Sequence, residues 1–436
     1  MKYSLKKAFL WLGLYTVLAL IPLGIALMGD RPEYRSFWIE FGVALGFIGL
    51  STMGLQAIFS GRYKFIAPTF GMDNILQFHR EIGIISFFFV LAHPIILILA
   101  DPEFIKYYDP TVNFPRAMAL SFATVGIVGI TVTSLWRQAF KLNYEWWRLI
   151  HSGVGALLVF VGITHSVQVA HYLDELWKQI AIVVLMGGCV YAVIHTRLVR
   201  LYLNGKKPYR IVDIKAERGD SYTMTLEADG FKREDFISGQ FFWMTVGDKV
   251  FTLQQHPFSI VSSDESDNIC FTAKVLGDFT ATWKDMKPGT KVVLEGPFGS
   301  FTPKGNDPLF MIMGGIGVTP GVSMIRSMVD RDDNREIILV YANEHWEETP
   351  FREELEELDK LPNIEVINVV ESPPEGYVGE TGFVDEDFFK KHLPKDKNDF
   401  VYYICGPEPL MDVSEKSLKK LGVDWRRIYS ERFEIV

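Results

Sequence analysis

Six stretches of this 436-residue chain are long and apolar enough to cross a bilayer, which constrains its fold more than any other feature. They lie at roughly 8–28, 38–59, 76–99, 117–136, 149–171 and 177–197. Each approaches the ~20 residues that a helix needs to span the hydrocarbon layer. Backbone polar groups in that layer must be satisfied within the segment, so the expectation is a six-helix transmembrane bundle. All six precede Lys207, and the charge divides at the same place. Up to Lys207 there are 18 Lys+Arg against 11 Asp+Glu, a balance of +7. The remaining 26 against 42 give −16, and the two halves sum to the −9 of the whole chain. A basic half and an acidic half argue for two environments rather than one large core. No basic tract points to nucleic acid. Met1 to Lys7 is basic and precedes a run too long for a signal peptide, with no small-residue cleavage site after it. A retained membrane helix is expected there.

Orientation follows from the short loops. With a cytoplasmic N-terminus, the inner side holds thirteen basic residues, among them Arg62, Arg80, Arg137, Arg148 and Arg197. The outer side holds five: Arg31, Arg35, Lys106, Arg116 and Lys178. That bias places both termini in the cytoplasm. Cys189, Cys270 and Cys405 are scattered, with no CxxC pair, which excludes a cysteine-ligated cluster.

Four histidines share one spacing. His79 and His93 lie in the third apolar run, and His151 and His165 in the fifth, each pair fourteen residues apart. At ~100° per residue, fourteen steps fall about 40° short of four turns, so each pair shares a helix face, about 21 Å apart along the axis. The two helices run in the same direction, which lets His79 face His151 and His93 face His165. Two neutral imidazoles on opposite sides of a planar iron porphyrin suit a haem that cycles electrons. Ionisable residues inside membrane helices are rare and usually functional. Zinc fits less well, because no third ligand accompanies either pair. Unrelated polar residues in helix contacts form the remaining alternative. Arg80 and Arg148 are placed either to pair with haem propionates or to anchor the inner face. His171 and His195 read as interfacial histidines, and Pro94 and Pro22 as helix kinks.

After Tyr209 the pattern becomes short β-rich runs: Tyr222–Glu227, Gln240–Val246, Ile269–Val275 and Thr290–Glu295. They predict a small antiparallel β-barrel. Within it, His256-Pro257-Phe258-Ser259 can offer backbone groups and a hydroxyl to the edge of a flavin ring. Gly277-Asp278-Phe279-Thr280 opens a short helix, a seat for pyrophosphate. From Asp307 strands alternate with helices, which predicts a parallel sheet. The strand Leu309–Met313 runs into Gly314-Gly315-Ile316-Gly317-Val318-Thr319-Pro320 and a helix. Small residues there let a dinucleotide phosphate approach the backbone, although the GxGxxG fingerprint is absent. Val401–Cys405 leads into a second such turn, Gly406-Pro407-Glu408-Pro409-Leu410-Met411. An ordinary tight connection is the alternative for either turn alone.

The order of barrel, HPFS, GGIGVTP, CGPEPLM and the terminal Glu431-Arg432-Phe433 resembles the ferredoxin–NADP reductase superfamily. With the paired-histidine helices in front, residues from about 38 onward resemble the NADPH oxidase and ferric reductase membrane family. The resemblance implies 1–207 as a haem domain, 208–304 as an FAD-binding barrel and 305–436 as an NAD(P)H-binding α/β domain. It implies FAD, two b-type haems, and NADH or NADPH as donor. Flavin contacts would fall on His256, Pro257, Phe258 and Ser259, with Gly277 and Thr280 beside them. Nicotinamide contacts would fall on Gly314, Gly315, Gly317, Thr319, Pro320, Cys405, Gly406 and Pro407. Cys405, Ser259 and Phe433 are the catalytic candidates, Phe433 as the aromatic that shields the flavin. His256 stands where soluble reductases usually carry Arg, and no EF-hand loop is present.

The implied activity carries electrons from cytoplasmic NAD(P)H outward across a plasma membrane. Dioxygen giving superoxide is the first expectation for the acceptor. Fe(III) and a periplasmic acceptor protein are the alternatives. Family oxidases often place a polar residue one turn beyond the outer histidine of the third helix, where this chain has Leu97. A membrane-tethered flavin reductase whose histidines bind nothing also stays open. Glu344 after the second strand, with no Arg before Arg352, leans towards NADH.

Overall fold

The computed structural model describes residues 5–30, 32–59, 61–63, 71–248, 252 and 254–432. The chain divides into two compact units, one from Leu5–Ile66 and Asn74–Arg200, the other mainly from Leu201–Val436.

Among the described residues, the first unit holds six long helices: α1 (Leu5–Leu27), α2 (Phe37–Phe59), α3 (Met72–Ala100), α4 (Phe114–Leu135), α5 (Tyr144–Val169) and α6 (Leu176–Ile194). Six spans within them are long and apolar enough to cross a membrane. Asn113 and Asn143 cap α4 and α5 by accepting from first-turn amides. The chain leaves α5 through Ala170 in the left-handed region. Pro22 and Pro94 lie inside continuous helices. A π-turn, His195–Val199, joins α6 to a short helix α7 (Arg200–Asn204).

Small residues set the closest helix contacts. A Cβ on Gly42 would meet Leu97 at 3.1 Å, one on Gly49 would meet Val90 at 3.0 Å, and one on Gly162 would meet Leu50 at 2.6 Å. Membrane helices pack without a hydrophobic drive between them, so close backbone approach supplies the van der Waals contact instead. The interior contains Phe47, Leu50, Val159, Ile163, Ile182 and Met186. Phe88, Leu99, Val125, Phe160 and Val184 point outward and stay exposed. Apolar residues inside and outside mark a bundle whose surroundings are apolar too.

The second unit holds two six-stranded sheets. The antiparallel one runs β4-β3-β6-β1-β2-β5, from β1 (Tyr209–Glu217), β2 (Ser221–Ala228), β3 (Phe241–Val246), β4 (His256–Ser259), β5 (Ile269–Lys274) and β6 (Lys291–Phe298). Its two edge strands meet through an Ile260↔Phe271 bridge, which curls the sheet into the expected barrel. Pro257 sits in edge strand β4, where its missing amide costs no central ladder bond.

The other sheet is parallel and runs β10-β9-β8-β7-β11-β12. It comprises β7 (Leu309–Gly314), β8 (Ile337–Asn343), β9 (Ile364–Val370), β10 (Glu380–Thr381), β11 (Val401–Cys405) and β12 (Ile428–Ser430). Strand order reverses between β7 and β11, so the crevice beyond their carboxyl ends is the switch point where such sheets bind ligands. Apolar residues on both faces of β7 and β11 are buried, as helix-covered parallel strands require.

The helix Thr319–Asp330 staples the sheets together. Ser323 Oγ donates to the Ser262 carbonyl at 2.7 Å, and the Asp264 amide donates to Ser327 Oγ at 3.0 Å. Arg326 donates to both Glu354 carboxylate oxygens at 2.6 Å and to the Val261 carbonyl at 2.8 Å. Removing such a half-buried guanidinium leaves a carboxylate and a carbonyl without their donor. Arg326→Ala is expected to destabilise this unit by about 1–3 kcal/mol. A lower midpoint in denaturant unfolding of the purified chain checks this, and an unchanged midpoint contradicts it.

Candidate functional site

The fourteen-residue spacing puts both histidines of α3 on the face that meets α5. His79 and His151 have ring centroids 6.1 Å apart, and His93 and His165 have theirs 6.4 Å apart. The matching of first with first and second with second requires α3 and α5 to run in the same direction. Two imidazoles bound through one nitrogen each to a metal between them, with bonds of about 2.0–2.1 Å, have centroids roughly 6–6.5 Å apart. Both pairs meet that spacing. Among the described residues no group of three or more His, Cys, Asp or Glu side chains converges as a metal site. A metal held here by two imidazoles would take its other ligands from elsewhere, as a macrocycle supplies them. The donor set fits haem iron.

A cavity of about 310 Å³ surrounds the His93–His165 pair. Its walls include Phe47, Leu97, Leu120, Ile127 and Leu158. Large apolar walls with two convergent imidazoles suit a flat apolar macrocycle. Leu97, one turn beyond His93, is part of this lining.

One ring of each pair has a nitrogen in contact with a neighbouring helix. His93 Nδ1 lies 2.8 Å from the Gly42 carbonyl of α2, and His151 Nδ1 lies 3.2 Å from Ser134 Oγ of α4. Gly46 makes the first contact possible, because a Cβ there would lie 2.8 Å from His93 Nδ1. The Trp147 ring covers His151 at 5.1 Å, and Tyr107 stands edge-on to His165 at 6.5 Å.

Of the two arginines expected near the first pair, Arg80 is exposed, and Arg148 is half-buried with its guanidinium 5.5 Å from the Tyr144 ring. Two others were missed. Arg197, on the π-turn after α6, is within electrostatic reach of both His79 and His151. Arg116 acts likewise on His165 and lies 4.3 Å over the Tyr107 ring. Each flanks an apolar run, which in sequence reads only as anchoring. His171 lies just beyond α5, in the cavity lining and edge-on to Tyr172. His195 opens the π-turn beside Tyr191.

In the second unit, β4 pairs with β3, setting Ser259 opposite Phe241 and His256 opposite Met244. The His256 ring stacks on Phe279 at 4.3 Å, so GDFT packs directly on HPFS. Thr280 caps that turn: its Oγ1 accepts from the Leu276 and Gly277 amides at 3.1 and 3.3 Å. The helix there is only four residues long, Asp278–Ala281.

The two glycine turns meet at the switch point. A Cβ on Gly406 would lie 2.9 Å from Gly314 N, and one on Gly317 would lie 2.9 Å from the Cys405 carbonyl. These glycines allow β7 and β11 to deliver their turns to one place. Gly315 has φ +52°, which a side chain would strain. Its carbonyl accepts from the Tyr341 hydroxyl at 3.1 Å. Thr319 and Pro320 open the following helix, and Pro407 precedes the helix Glu408–Lys420. Cys405 is buried at the end of β11. Glu431, whose amide donates to the Ile404 carbonyl, reaches towards Gly299 beside Phe241. Glu431 thus ties the end of β11 to Gly299 beside Phe241, the strand partner of Ser259, a link that separate motifs did not reveal. Burial pulls the nearby Lys304 ammonium below its usual range, and the Glu431 carboxylate partly offsets that. Phe433 lies outside the described residues.

Three family models match the chain. "Ferric reductase like transmembrane component" covers residues 45–162, "FAD-binding domain" 208–302 and "Oxidoreductase NAD-binding domain" 311–416. The chain is similar to NADH-cytochrome b5 reductase 1 of Mortierella alpina, 31% identical over 169 residues, which are 37% of this chain and 57% of that protein. It is 32% identical over 155 residues to NADH-cytochrome b5 reductase 1 of Aspergillus oryzae, 34% of this chain and 53% of the relative. The chain therefore spans little more than half the length of either. Among solved structures, it is similar to the flavohaem-like FAD/NAD-binding domain of nitric oxide dioxygenase from Vibrio cholerae O1 biovar El Tor. That likeness has a TM-score of 0.47 and 20% identity, and covers 52% of this chain and 98% of that one.

Burial pushes the Tyr341 phenol well above its usual range, so it remains a donor at any ordinary pH. Tyr341→Phe removes the donor that holds Gly315 in place. The expected result is a rise of about three- to tenfold in KM for the nicotinamide donor, with a smaller change in kcat. Steady-state kinetics with an artificial electron acceptor checks this.

Proposed function

We propose, from the premise that this chain joins a ferric-reductase-like transmembrane domain to the FAD- and NAD-binding domains of an oxidoreductase, that it carries electrons from NAD(P)H across a membrane. The observation that carries the reading is the pair of facing histidine sites on α3 and α5, at 6.1 and 6.4 Å. His79 with His151, and His93 with His165, would each hold one b-type haem, with Arg80, Arg148, Arg197 and Arg116 as candidate propionate partners. Flavin, when bound, would supply the conversion of one hydride's two electrons into single electrons, and the haem irons would supply one-electron transfer through the apolar layer. Residues 1–207, 208–304 and 305–436 form the three domains of this reading.

The chain's own residues bind and orient the other two groups. Gly315, whose side-chain direction is open, leaves room for the pyrophosphate of the nicotinamide cofactor, while Gly314 and Gly317 let the two turns meet beside it and Thr319 and Pro320 open the helix behind them. Gly406 and Pro407 shape the opposite wall, and Cys405 stands beside the nicotinamide. His256 to Ser259 line the flavin edge, with the Ser259 hydroxyl as its hydrogen-bond partner and Gly277 and Thr280 at its phosphates. Phe433 would shield the flavin face. Loop charges favour cytoplasmic termini in a plasma membrane. Each electron then moves outward against ~2.3 kcal/mol per 100 mV of inside-negative potential.

Dioxygen, giving superoxide, is the proposed acceptor, as a small uncharged molecule that can reach the His93–His165 site through the surrounding apolar layer. Fe(III) is the second reading, favoured by the match to a ferric-reductase-like component and by Leu97 where family oxidases are polar. Superoxide and ferrous iron measured separately, with and without oxygen, distinguish the two. Neither product would point to a periplasmic acceptor protein.

An anaerobic absorption spectrum of the haem-supplied chain, before and after NADH with FAD, tests the whole path. A reduced b-type spectrum is expected, with two haems per chain and loss in His79→Ala or His165→Ala. A haem-free chain would leave only a membrane-tethered flavin reductase. NADH should be used with a higher kcat/KM than NADPH, because Glu344 is exposed after β8 and Arg352 is held 4.9 Å over the Trp346 ring. A strong NADPH preference would refute this.

A further inference from the structure

Both histidine sites have an anchored ring, and the anchors differ in kind. His93 Nδ1 faces the Gly42 carbonyl at 2.8 Å, an acceptor that can only take a hydrogen bond. Its ring is laid against α2 at Gly46, where even a methyl group would lie 2.8 Å from Nδ1. Gly42 and Gly46 are one turn apart, so one glycine face supplies both the space and the acceptor. His151 Nδ1 faces Ser134 Oγ at 3.2 Å. A hydroxyl could donate or accept there, but Ser134 Oγ also donates to the Ile130 carbonyl one turn back. A carbonyl has no proton to give, so the single hydroxyl hydrogen is spent on Ile130. The Ser134 oxygen is left as an acceptor, and the proton between it and His151 belongs to the imidazole.

We infer that Ser134 and the Gly42 carbonyl are positioning groups that fix the protons of His151 and His93 on Nδ1, leaving each Nε2 lone pair aimed into its gap. This rests on the reading of the two pairs as iron ligands. A hydrogen bond from Nδ1 sets the ring's rotation about its own axis and raises the basicity of the ligating nitrogen. A more basic ligand favours the ferric over the ferrous state, so loss of the acceptor raises the reduction potential of that site alone. Ser134 acts on the His79–His151 site, and the glycine face on the His93–His165 site.

The test is a potentiometric titration of the detergent-purified, haem-loaded full chain, with haem content measured beside it. Ser134→Ala is expected to keep both haems and move one of the two reduction steps to higher potential. Ser134→Thr, which keeps the hydroxyl, should return that step to its original position. Gly46→Ala should displace His93, lowering haem content to about half and removing the step that Ser134→Ala left in place. Two haems with both steps unmoved in Ser134→Ala overturns the inference, as does a Gly46→Ala chain with both sites intact. A wild-type chain that takes up no haem overturns the ligand reading and this inference with it.

Discussion

An imidazole inside an apolar bundle is costly unless its ring nitrogens are satisfied, and in the membrane unit one ring of each histidine pair is anchored to a neighbouring helix. Burial of a polar group without a partner costs several times what a satisfied one does. Here the nitrogens facing helices α2 and α4 are met by a carbonyl and a hydroxyl. The rings of each pair have centroids 6.1 and 6.4 Å apart, a spacing that would suit a metal held between two imidazoles. The glycines of α2 follow from that demand. They bring α2 close enough to α3 for a backbone carbonyl to reach a ring, and they pack the helices where hydrophobic attraction gives no preference.

The second unit solves a related problem with the same residue. Two loops from different strands must reach one crevice, and each would be blocked by a side chain on the other. Gly314, Gly317 and Gly406 remove those side chains, so the carboxyl ends of β7 and β11 close on each other. The loop is then held from below by the Tyr341 hydroxyl and from the side by the helix that Ser323 and Arg326 tie to the barrel. On the proposed reading, this fixed backbone would pre-organise a phosphate site and lower the ordering cost of binding.

Much of this was legible from residue spacing. Apolar length identified the six helices, fourteen-residue steps identified which histidines meet, and the change from period-two runs to alternating strands and helices separated the two sheets. The glycine turns were visible one at a time. Their contact with each other was not, because strand order is a property of pairing. Ser134, Arg116 and Arg197 carried no signal, since a serine in an apolar run or an arginine at its end is ordinary. The fourteen-residue rule depends only on helical rise and twist, whereas those residues matter through helices that are distant in sequence. Gly42 and Gly46 did form a small-xxx-small pattern, but that pattern reports close approach without saying to what.

The sequence by itself determined which segments are helices, which faces carry histidine, and which turns lack side chains. These follow from local periodicity and from the cost of leaving backbone groups unsatisfied in an apolar medium. Only the tertiary structure decided which nitrogens of His93 and His151 are bonded, which arginines stand near the pairs, and how Glu431 ties the end of β11 to Gly299. Those depend on contacts between elements brought together by packing, and hydrogen-bond direction is settled by the last donor available rather than by composition.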